Sequence, residues 1–495
     1  MSIPWAAESE LNATAQPLVS AALESPKPDS GKLYAEHVKV YPQRVSGRFR
    51  RIKWTVLAVL LGIYYLAPWI RWDRGAGTPD QAILIDMPGR RAYFFFIEIW
   101  PQEVYFLAGL LILGALGLFL ATSLFGRVWC GFTCPQTVWT DLFMQVESWI
   151  EGDRNRRMKL DQAPLSVDKL WRKLTKHAVW LVIALATGGA WIFYFNDAPT
   201  ILQRIVTGEA GLAVYGFIGL FTGTTYLLAG WAREQVCIYM CPWPRFQSAM
   251  FDEHSLLVTY EPWRGEPRGH SKAGKPPPGL GDCIDCGLCV RVCPTGIDIR
   301  DGQQLACIGC ALCVDACNGV MEKIGRPRDL IAYDSLSRSQ ARSEGRTEKL
   351  RLQRARTFIY AGLLAVGAVV MVVALAMRSN VELSVLPDRA PLFVRLSDGA
   401  IRNGYTLKLS NKTHQDRAYA VSLEGPVGAR FSVLGQEDAS APMLEVGKDS
   451  VGTFRFFVTY APDAIAETKT PLSILVRELT TSEVSRNETV FSAPR

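Results

Sequence analysis

The sequence predicts a multidomain membrane protein: an α-helical bundle of about five spans with a soluble cysteine-rich insert, followed by an immunoglobulin-like β-sandwich. Three observations support this fold class: five long apolar stretches, twelve cysteines confined to four short segments, and β-branched and aromatic runs in residues 380–495. A mean hydropathy of +0.09 with 49% hydrophobic residues is too apolar for an ordinary soluble enzyme. The 20% of charged residues requires soluble segments between the spans.

Five stretches are long enough to cross a bilayer, which takes about 20 mostly apolar residues. Four lie in a bundle at 46–256, and the fifth follows a basic linker within 336–379. The predicted spans are about 54–70, 104–124, 178–195, 211–232 and 357–377. Glycines such as Gly109, Gly114, Gly117, Gly219 and Gly223 suit close helix–helix approach in lipid.

Lysine and arginine are concentrated before the first span, after the second and before the fifth. By the positive-inside rule these segments lie in the cytoplasm of a bacterium, in whose inner membrane the chain is anchored. The N-terminus and all twelve cysteines then lie inside, and the C-terminal domain is periplasmic. The net charge of +7 therefore reflects topology, and we expect membrane lipid and no nucleic acid among the partners, because no basic run is interleaved with stacking aromatics. Residues 1–45 are predicted to be a disordered tail without a cleaved signal.

Residues 257–335 contain two cysteine runs with the same C-x2-C-x2-C-x3-C spacing. They are Cys283, Cys286, Cys289 and Cys293, followed by Pro294, and Cys307, Cys310, Cys313 and Cys317. This doubled spacing is typical of a bacterial ferredoxin with two [4Fe–4S] clusters, in which the fourth cysteine of each run ligates the other cluster. A zinc ribbon needs two C-x2-C pairs per ion and fits these runs less well.

The crossed pattern divides the eight cysteines into two ligand sets. Cys283, Cys286, Cys289 and Cys317 are assigned to one cluster, and Cys307, Cys310, Cys313 and Cys293 to the other. Gly287 and Gly309 lie inside the loops, where a side chain could crowd the cluster. Asn318 stands where the second run would be expected to have a proline, a departure that we expect to loosen the second loop.

Two shorter motifs of the form C-x3-C-P follow the ends of the second and fourth spans. Their cysteines are Cys130, Cys134, Cys237 and Cys241, followed by Pro135 and Pro242. Either each pair lies on one helix face, or the proline starts a helix after an irregular turn. Brought together, four thiolates would favour Cu(I), zinc or a further iron–sulfur cluster. The alternative is that they are buried structural cysteines.

Other soft or nitrogen donors near these motifs are weaker candidates for ligands. Met144, Met240 and Met250 could add thioether ligands for Cu(I), although packing explains them equally well. For His177 and His254 we expect ordinary hydrogen bonding.

Residues 380–495 alternate like short strands, with runs at 406–409, 419–423, 453–460 and 474–479 separated by turn residues. His414 is the only histidine there, and a lone histidine in a turn indicates a surface residue. We interpret this segment as a periplasmic interaction module without catalytic residues.

The ordered set of motifs, from the C-x3-C-P pairs through the twin ferredoxin runs to the β-domain, resembles the CcoG/FixG/RdxA family. Its members are accessory proteins for assembly of the cbb3-type cytochrome c oxidase, and the likeness covers nearly the whole chain after the tail. The membrane part is also similar to polyferredoxin subunits of nitrate and nitrous-oxide respiration. The resemblance implies reduction of Cu(II) to Cu(I) during copper supply. Cys130, Cys134, Cys237 and Cys241 would then be the catalytic copper-binding residues, and the eight ferredoxin cysteines would deliver electrons.

The expected partners are copper ions, oxidase subunits or copper assembly factors, and a cytoplasmic electron donor that the sequence does not name. Two other functions stay open. One is an electron conduit from a cytoplasmic donor to a quinone or flavin partner. The other is a non-enzymatic assembly scaffold that holds copper. A Gly-rich nucleotide loop is absent from the sequence, so direct use of NAD(P)H has no support.

Overall fold

The computed structural model describes residues 39–75, 78–274, 276–379, 381–436, 442–461 and 467–494. Most of the tail predicted at 1–45 lies outside these residues. The prediction of disorder was wrong for its described end, where Lys39 and Tyr41 each donate to the Asp161 carboxylate at 2.6 Å. The chain divides into two compact units, the first formed by Met1–Trp72 and Gln81–Met371 and the second by Asp73–Asp80 and Val372–Arg495.

Five helices are long and apolar enough to cross a membrane, which confirms the predicted number of spans. They run from Arg48–Trp69, Pro101–Phe125, Val167–Phe193, Leu212–Ala232 and Ala355–Ala376. Their outward faces expose large apolar side chains, such as Leu111 and Val366. An exposed apolar surface of this extent is stable in lipid and not in water.

The helices of the described residues are numbered in chain order. They are α1 Arg48–Leu66, α2 Tyr105–Phe125, α3 Pro135–Ile150, α4 Arg154–Gln162, α5 Val167–Phe193, α6 Ala198–Thr207, α7 Leu212–Thr225, α8 Trp243–Ser248, α9 Pro262–Gly265, α10 Leu288–Arg291, α11 Leu312–Lys323, α12 Leu336–Ser343 and α13 Ala355–Ala376.

Small residues bring two pairs of spans close together. A Cβ atom on Gly109 of α2 would come within 2.2 Å of the Met371 sulfur of α13. One on Gly188 of α5 would come within 2.8 Å of the Ile218 carbonyl oxygen of α7. Gly109 was predicted to have this role and Gly188 was not. At the other four predicted glycines, an added Cβ atom would meet no described residue within 4 Å, so they bring no two spans of this chain together.

The connection between the first two spans contains a sheet that the sequence analysis did not predict. Its strands are β1 Ile83–Asp86, β2 Arg91–Phe94 and β3 Ile97–Ile99, all antiparallel. The sheet is joined to the helical bundle because the Ile85 N–H donates to the Tyr194 carbonyl at 2.8 Å.

The cysteine-rich insert is closed by two antiparallel strands, β4 Leu257–Tyr260 and β5 Ile331–Asp334. Leu257 pairs with Asp334 and Tyr260 with Ile331, so the two ends of the insert lie side by side. The insert is joined to the second span because the Leu256 N–H donates to the Leu124 carbonyl at 3.1 Å. Both cysteine runs are therefore held beside the end of α2.

The second unit contains a β-sandwich, as the fold class predicted. Its strands are β6 Val381–Pro387, β7 Val394–Arg395, β8 Ile401–Asn411, β9 Arg417–Glu424, β10 Arg430–Val433, β11 Met443–Val446, β12 Ser450–Tyr460, β13 Lys469–Glu478 and β14 Val484–Ser492. One sheet has the order β10-β12-β8-β6, with β7 also paired to β8, and the other has the order β11-β9-β13-β14. Alternate residues of β8, such as Tyr405 and Leu407, join Phe456 and Ile474 in the buried core.

Candidate functional site

The first set of predicted ligands surrounds one small cavity in the insert. Its lining includes Cys283, Cys286, Cys289 and Cys317, together with Tyr260 and Arg300. Cys283 and Cys289 are buried and Cys286 is exposed. Burial raises the pKa of Cys289 to about 11 and that of Cys317 to about 12. Cys317 belongs to the second run, so the fold brings it to the first run's cavity.

The second set gathers around the other loop. Burial raises the pKa of Cys307 to about 12, and the neighbouring thiols of Cys293 and Cys310 raise it further. The thiol of Cys313 has a pKa well above its usual value because of burial and because Cys310, Cys307 and Cys293 lie near it. Cys293 of the first run is thus placed with three cysteines of the second.

The two loops share an unusual backbone conformation. The residues on either side of Cys286 are Asp285 (φ 51°) and Gly287 (φ 62°), and those on either side of Cys310 are Gly309 (φ 70°) and Ala311 (φ 57°). Left-handed residues at matching places create backbone concavities suited to anions, as iron–sulfur sites require. The two loops are therefore suited to hold two prosthetic groups of the same kind.

The spacing of the sulfurs distinguishes a cluster from a single metal ion. Four sulfurs around one zinc ion lie about 3.8 Å apart, as follows from Zn–S bonds of about 2.3 Å. No three of the cysteines, all of which are described, bring their sulfur atoms within 4.8 Å of one another. The eight cysteines of the insert consequently fit two polynuclear clusters better than two zinc ions.

The proline missing after Cys317 has a structural explanation. Asn318 lies inside α11, its amide donates to the Asp329 carboxylate at 3.0 Å, and its carbonyl accepts from the Asp329 N–H at 2.7 Å. The expectation that this residue loosens the loop was wrong, because α11 continues past Asn318 to Lys323 and Asn318 ties the helix to the segment before β5.

Each C-x3-C-P motif forms a wide turn of π-helical geometry. The turns span Trp129–Thr133 and Val236–Met240. The Cys134 N–H donates to the Trp129 carbonyl and the Cys241 N–H to the Val236 carbonyl, each at 2.8 Å. Of the two conformations considered, the structure therefore has the irregular turn.

The two turns match beyond their cysteines. Four residues before the first cysteine, Gly126 (φ 58°) and Arg233 (φ 41°) each adopt a left-handed conformation. After the second cysteine, Pro135 begins α3 and Pro242 precedes α8. The motifs are two copies of one local structure, although only their cysteines and prolines match in sequence.

The structure brings the four C-x3-C-P thiols together. Burial raises the pKa of Cys130 to about 12, Cys134, Cys237 and Cys241 raise it further, and Arg127 opposes them. Burial likewise raises the pKa of Cys237 to about 12, assisted by Cys134 and Cys241. We call these four residues the four-thiol site. Cys241 is its exposed member.

A buried glutamine borders the four-thiol site and was not predicted. The Cys130 thiol donates to Gln247 Oε1 at 3.2 Å, and Gln247 Nε2 lies 3.3 Å from the Thr122 hydroxyl. Gln247 is completely buried. Its sequence position, six residues after Cys241, carries no distinguishing signal.

The four-thiol site lies directly against the second ligand set of the insert. A Cβ atom on Gly131 would come within 2.9 Å of the Ile308 carbonyl and 3.0 Å of the Cys310 nitrogen. Cys130 and Cys237 both pack against the cluster of buried side chains that contains Cys310. The two thiol groups are therefore neighbours in space although their sequences lie far apart.

Arg127 lies between the four-thiol site and the second ligand set of the insert. Its guanidinium donates to the carbonyls of Leu305, Cys307 (2.8 Å) and Pro244 (2.9 Å). Burial lowers the pKa of Arg127, and the nearby Cys307 and Cys130 oppose that shift. The side chain thus lies between the insert and the turns at the ends of the spans.

The first span is also tied to the insert. The Asp315 carboxylate of α11 accepts the Phe49 N–H at 3.2 Å and the Arg50 N–H at 2.7 Å, so it caps the first turn of α1. The Arg50 guanidinium donates to both oxygens of Asp141 at 2.9 and 3.0 Å. These contacts hold α1, α3 and α11 together beside the thiols.

The weaker ligand candidates are placed elsewhere or have other partners. Met240 is exposed, and Met144 lines a separate cavity. His177 Nδ1 hydrogen-bonds the Tyr226 hydroxyl and His254 Nδ1 the Ser337 hydroxyl, each at 2.9 Å. His414 Nδ1 lies 3.0 Å from the Asp449 carboxylate at the surface of the sandwich.

Comparison with protein-family models gives three matches. Residues 232–336 match a "4Fe-4S dicluster domain", and residues 107–157, which contain Cys130 and Cys134, match a "4Fe-4S binding domain". Residues 371–494 match the model of an IG-like fold at the C-terminus of FixG.

Curated relatives match almost the whole chain. Protein RdxB of Cereibacter sphaeroides is 50% identical over 477 residues, covering 95% of this chain and 99% of the relative. Nitrogen fixation protein FixG of Rhizobium meliloti is 49% identical and covers 94% of each. Protein RdxA of C. sphaeroides is 52% identical, covering 87% of this chain and 91% of the relative.

Among solved structures, a FixG-related protein from Vibrio parahaemolyticus matches 24% of this chain and 100% of its own at 21% identity, with a TM-score of 0.21. The assignment of the chain to a family therefore rests on the sequence relatives.

Proposed function

The chain belongs to the FixG and RdxA family of membrane-associated iron–sulfur redox proteins, and from this premise we propose that it reduces Cu(II) to Cu(I) for copper supply during assembly of a cbb3-type cytochrome c oxidase. The electrons come from a cytoplasmic donor and pass through two [4Fe–4S] clusters to the four-thiol site. The observation that supports this order is the contact of Gly131 with Cys310.

In this proposal the crossed sets of cysteines hold the two clusters. Cys283, Cys286, Cys289 and Cys317 hold the outer cluster, and Cys293, Cys307, Cys310 and Cys313 hold the inner one. When bound, each cluster supplies one-electron transfer at low potential. The protein places the two ligand sets side by side, since the Cys289 thiol is among the neighbours that act on Cys313.

Cys286 is exposed, so a donor protein can reach the outer set at this residue. The inner set is enclosed, because Cys310 is buried and its loop is covered by Gly131 and Arg127. An electron that arrives at Cys286 therefore has to cross the inner set before it reaches the four-thiol site. This arrangement keeps Cu(II) away from the inner set.

Copper is the substrate in this mechanism. Cu(II) reaches the four-thiol site past the exposed Cys241, takes one electron and leaves as Cu(I). Thiolates favour Cu(I) over Cu(II), which prefers nitrogen and oxygen donors, so binding and reduction act in the same direction. Two clusters that each store one electron suffice for two copper ions.

A second candidate function is favoured by two observations. Residues 107–157 match a 4Fe–4S binding model, and no three sulfurs of the four-thiol site lie within 4.8 Å of one another, which is too wide a spacing for one ion to bind all four. Both suit a third cluster, which would make the chain a conduit to a quinone or flavin partner. Iron analysis separates the candidates, with about eight irons per chain for copper reduction and about twelve for the conduit.

The deciding experiment is an anaerobic copper-reduction assay on the purified protein. The dithionite-reduced protein is mixed with Cu(II) and a Cu(I)-specific chelator while cluster absorbance is followed. We expect cluster reoxidation matched by Cu(I) formation, and its loss when Cys130, Cys134, Cys237 and Cys241 are all replaced by serine. Reoxidation that survives this replacement would mean that copper merely oxidises the clusters.

We further propose that the insert and the N-terminus lie in the cytoplasm, which keeps the thiols reduced. The sandwich is then periplasmic, where oxidase subunits or copper assembly factors are its expected partners. If clusters prove dispensable for oxidase activity, the chain would instead be a scaffold that holds copper.

A further inference from the structure

A lysine in the first span has no hydrogen-bond acceptor. Lys53 belongs to α1, its side chain is 2% exposed, and its ammonium nitrogen makes no hydrogen bond within the described residues. A buried ammonium is retained at a cost unless a negative group compensates it. The nature of that group is therefore informative.

The nearby carboxylates are already engaged. Asp141 Oδ1 lies 3.8 Å from the Lys53 ammonium, but both Asp141 oxygens accept hydrogen bonds from Arg50. The Asp315 carboxylate accepts two backbone N–H groups at the start of α1. Arg50 and Lys53 thus share Asp141 as an ion-pair partner, and only Arg50 hydrogen-bonds it.

Two thiols lie within electrostatic range of the Lys53 ammonium. Burial raises the pKa of both Cys237 and Cys310, and the ammonium of Lys53 opposes that rise in each. α1 packs against the Trp129–Thr133 turn, which contains Cys130, and against α11, which begins two residues after Cys310. Cys130, Cys237 and Cys310 belong to one packed cluster of side chains. Lys53 is therefore close to one thiol of the four-thiol site and one of the inner ligand set.

Arg127 is also a buried cation near the four-thiol site and the inner ligand set, and it differs from Lys53 in its hydrogen bonds. Its guanidinium donates to three backbone carbonyls, so its hydrogen-bonding capacity is largely used in holding the two loops. The three N–H groups of Lys53 remain available for sulfur.

We propose that Lys53 is a positioning residue whose ammonium is the shared counter-charge of the four-thiol site and the inner ligand set, and that it makes both centres easier to reduce. The inference rests on the proposed function only in requiring metal at the inner set, and it holds for copper and for a third cluster alike. Metal centres with four thiolates are anionic, and each added electron increases their negative charge. A fixed buried cation stabilises the reduced state of both.

The test is a redox titration of the full-length protein in detergent, followed by electron paramagnetic resonance and without copper. We expect Lys53→Met to keep the iron content of wild type and to shift the midpoint potential of the inner cluster to a more negative value. Lys53→Arg should return that potential towards wild type. Lys53→Gln, which keeps N–H donors without the charge, answers the same question if Lys53→Met does not fold.

Lys176→Met is the matched control. Lys176 is also a buried lysine of a span, but its ammonium lies 2.9 Å from Glu151, and it is not among the main charges that act on Cys130, Cys237 or Cys310. Its replacement should leave both potentials unchanged. Equal potentials in wild type and Lys53→Met, or equal shifts in Lys53→Met and Lys176→Met, would overturn the proposal.

The redox titration and the copper assay test the two proposals separately, so either proposal can be contradicted without the other. If the four-serine variant loses copper reduction while Lys53→Met keeps wild-type potentials, copper reduction stands and the role of Lys53 falls. If Lys53→Met shifts one potential while the four-serine variant still reduces copper at the wild-type rate, the role of Lys53 stands and copper reduction at the four-thiol site falls.

Discussion

Gly131 of the first C-x3-C-P turn lies so close to Cys310 of the insert that a Cβ atom would come within 3.0 Å of the Cys310 nitrogen. Its other contact, the Ile308 carbonyl, is also backbone and cannot rotate away. Glycine at this position is what lets the end of the second span meet a ligand loop of the insert. The contact links the four-thiol site to the cysteine-rich insert.

Gly131→Ala should push this turn away from the 308–310 loop. Overpacking of this kind costs about 1–3 kcal/mol, and displacement of the two thiol groups should slow copper-dependent cluster reoxidation by at least about tenfold, since small misplacements lower rates strongly. The measurement is stopped-flow absorbance of the reduced protein, with iron content checked. Gly114→Ala in α2, where the added Cβ meets open space, is the control and should react at the wild-type rate.

The crossed ligand sets make a prediction about double variants. Cys283→Ser with Cys317→Ser removes two ligands from one set, so one cluster and about four irons should remain. Cys313→Ser with Cys317→Ser removes a ligand from each set, and iron should fall well below four. Iron and acid-labile sulfide analysis of the two proteins decides the matter. Equal iron contents would contradict the crossed assignment.

Asn318→Pro should damage the protein although proline is the residue expected after the fourth cysteine of such a run. A proline inside a helix removes a hydrogen bond and costs about 3 kcal/mol or more, and here it would also break both contacts with Asp329. We expect a lower melting temperature and loss of iron. Asn318→Ala removes only the Asp329 contacts and should be milder, and the reverse order would contradict this account.

Asp315→Ala should uncouple the first span from the insert. The substitution removes the cap of α1, whose loss costs about 1 kcal/mol. Thermal unfolding followed by loss of cluster absorbance should shift to lower temperature. Glu322→Ala changes an exposed carboxylate of the same helix and should have little effect. Identical melting of the two variants would show that the cap does not contribute.

Asp161 of α4 should make stability depend on acid. Burial acts to raise the pKa of this carboxyl, but hydrogen bonds from Lys173, Lys39 and Tyr41 outweigh burial and hold the pKa well below its usual range. A depressed carboxyl pKa stabilises the fold above the ordinary carboxyl value of about 4, and this contribution is lost as pH falls below it.

The check for Asp161 is a series of melting temperatures between about pH 7 and pH 3. The variant Asp161→Asn should be less stable than wild type at neutral pH, and the difference should shrink in acid. Asp168→Asn, which alters an exposed pair with Arg172 on α5, serves as the control. A difference that does not change with pH would contradict the assignment.

Several features of this protein could be predicted from local sequence. The five spans could be predicted from runs of apolar residues. The ferredoxin-type loops could be predicted from a cysteine spacing that is found in few other kinds of structure. The sandwich follows from alternating residues such as those of β8, whose buried face depends only on the period of a strand. The small sheet β1–β3 escaped prediction because its strands have only three or four residues and lie among charged residues and turns.

The sequence by itself determined which residues can bind metal and which segments can cross a membrane, because both properties belong to short stretches of chain. Only the tertiary structure decided that the four-thiol site lies against Cys310 and that Asp315 caps α1. It also decided that the buried Lys53 ammonium has no hydrogen-bond acceptor among the described residues. These relationships join residues up to 266 positions apart. They arise from the packing of spans against the insert, which no local pattern of residues encodes.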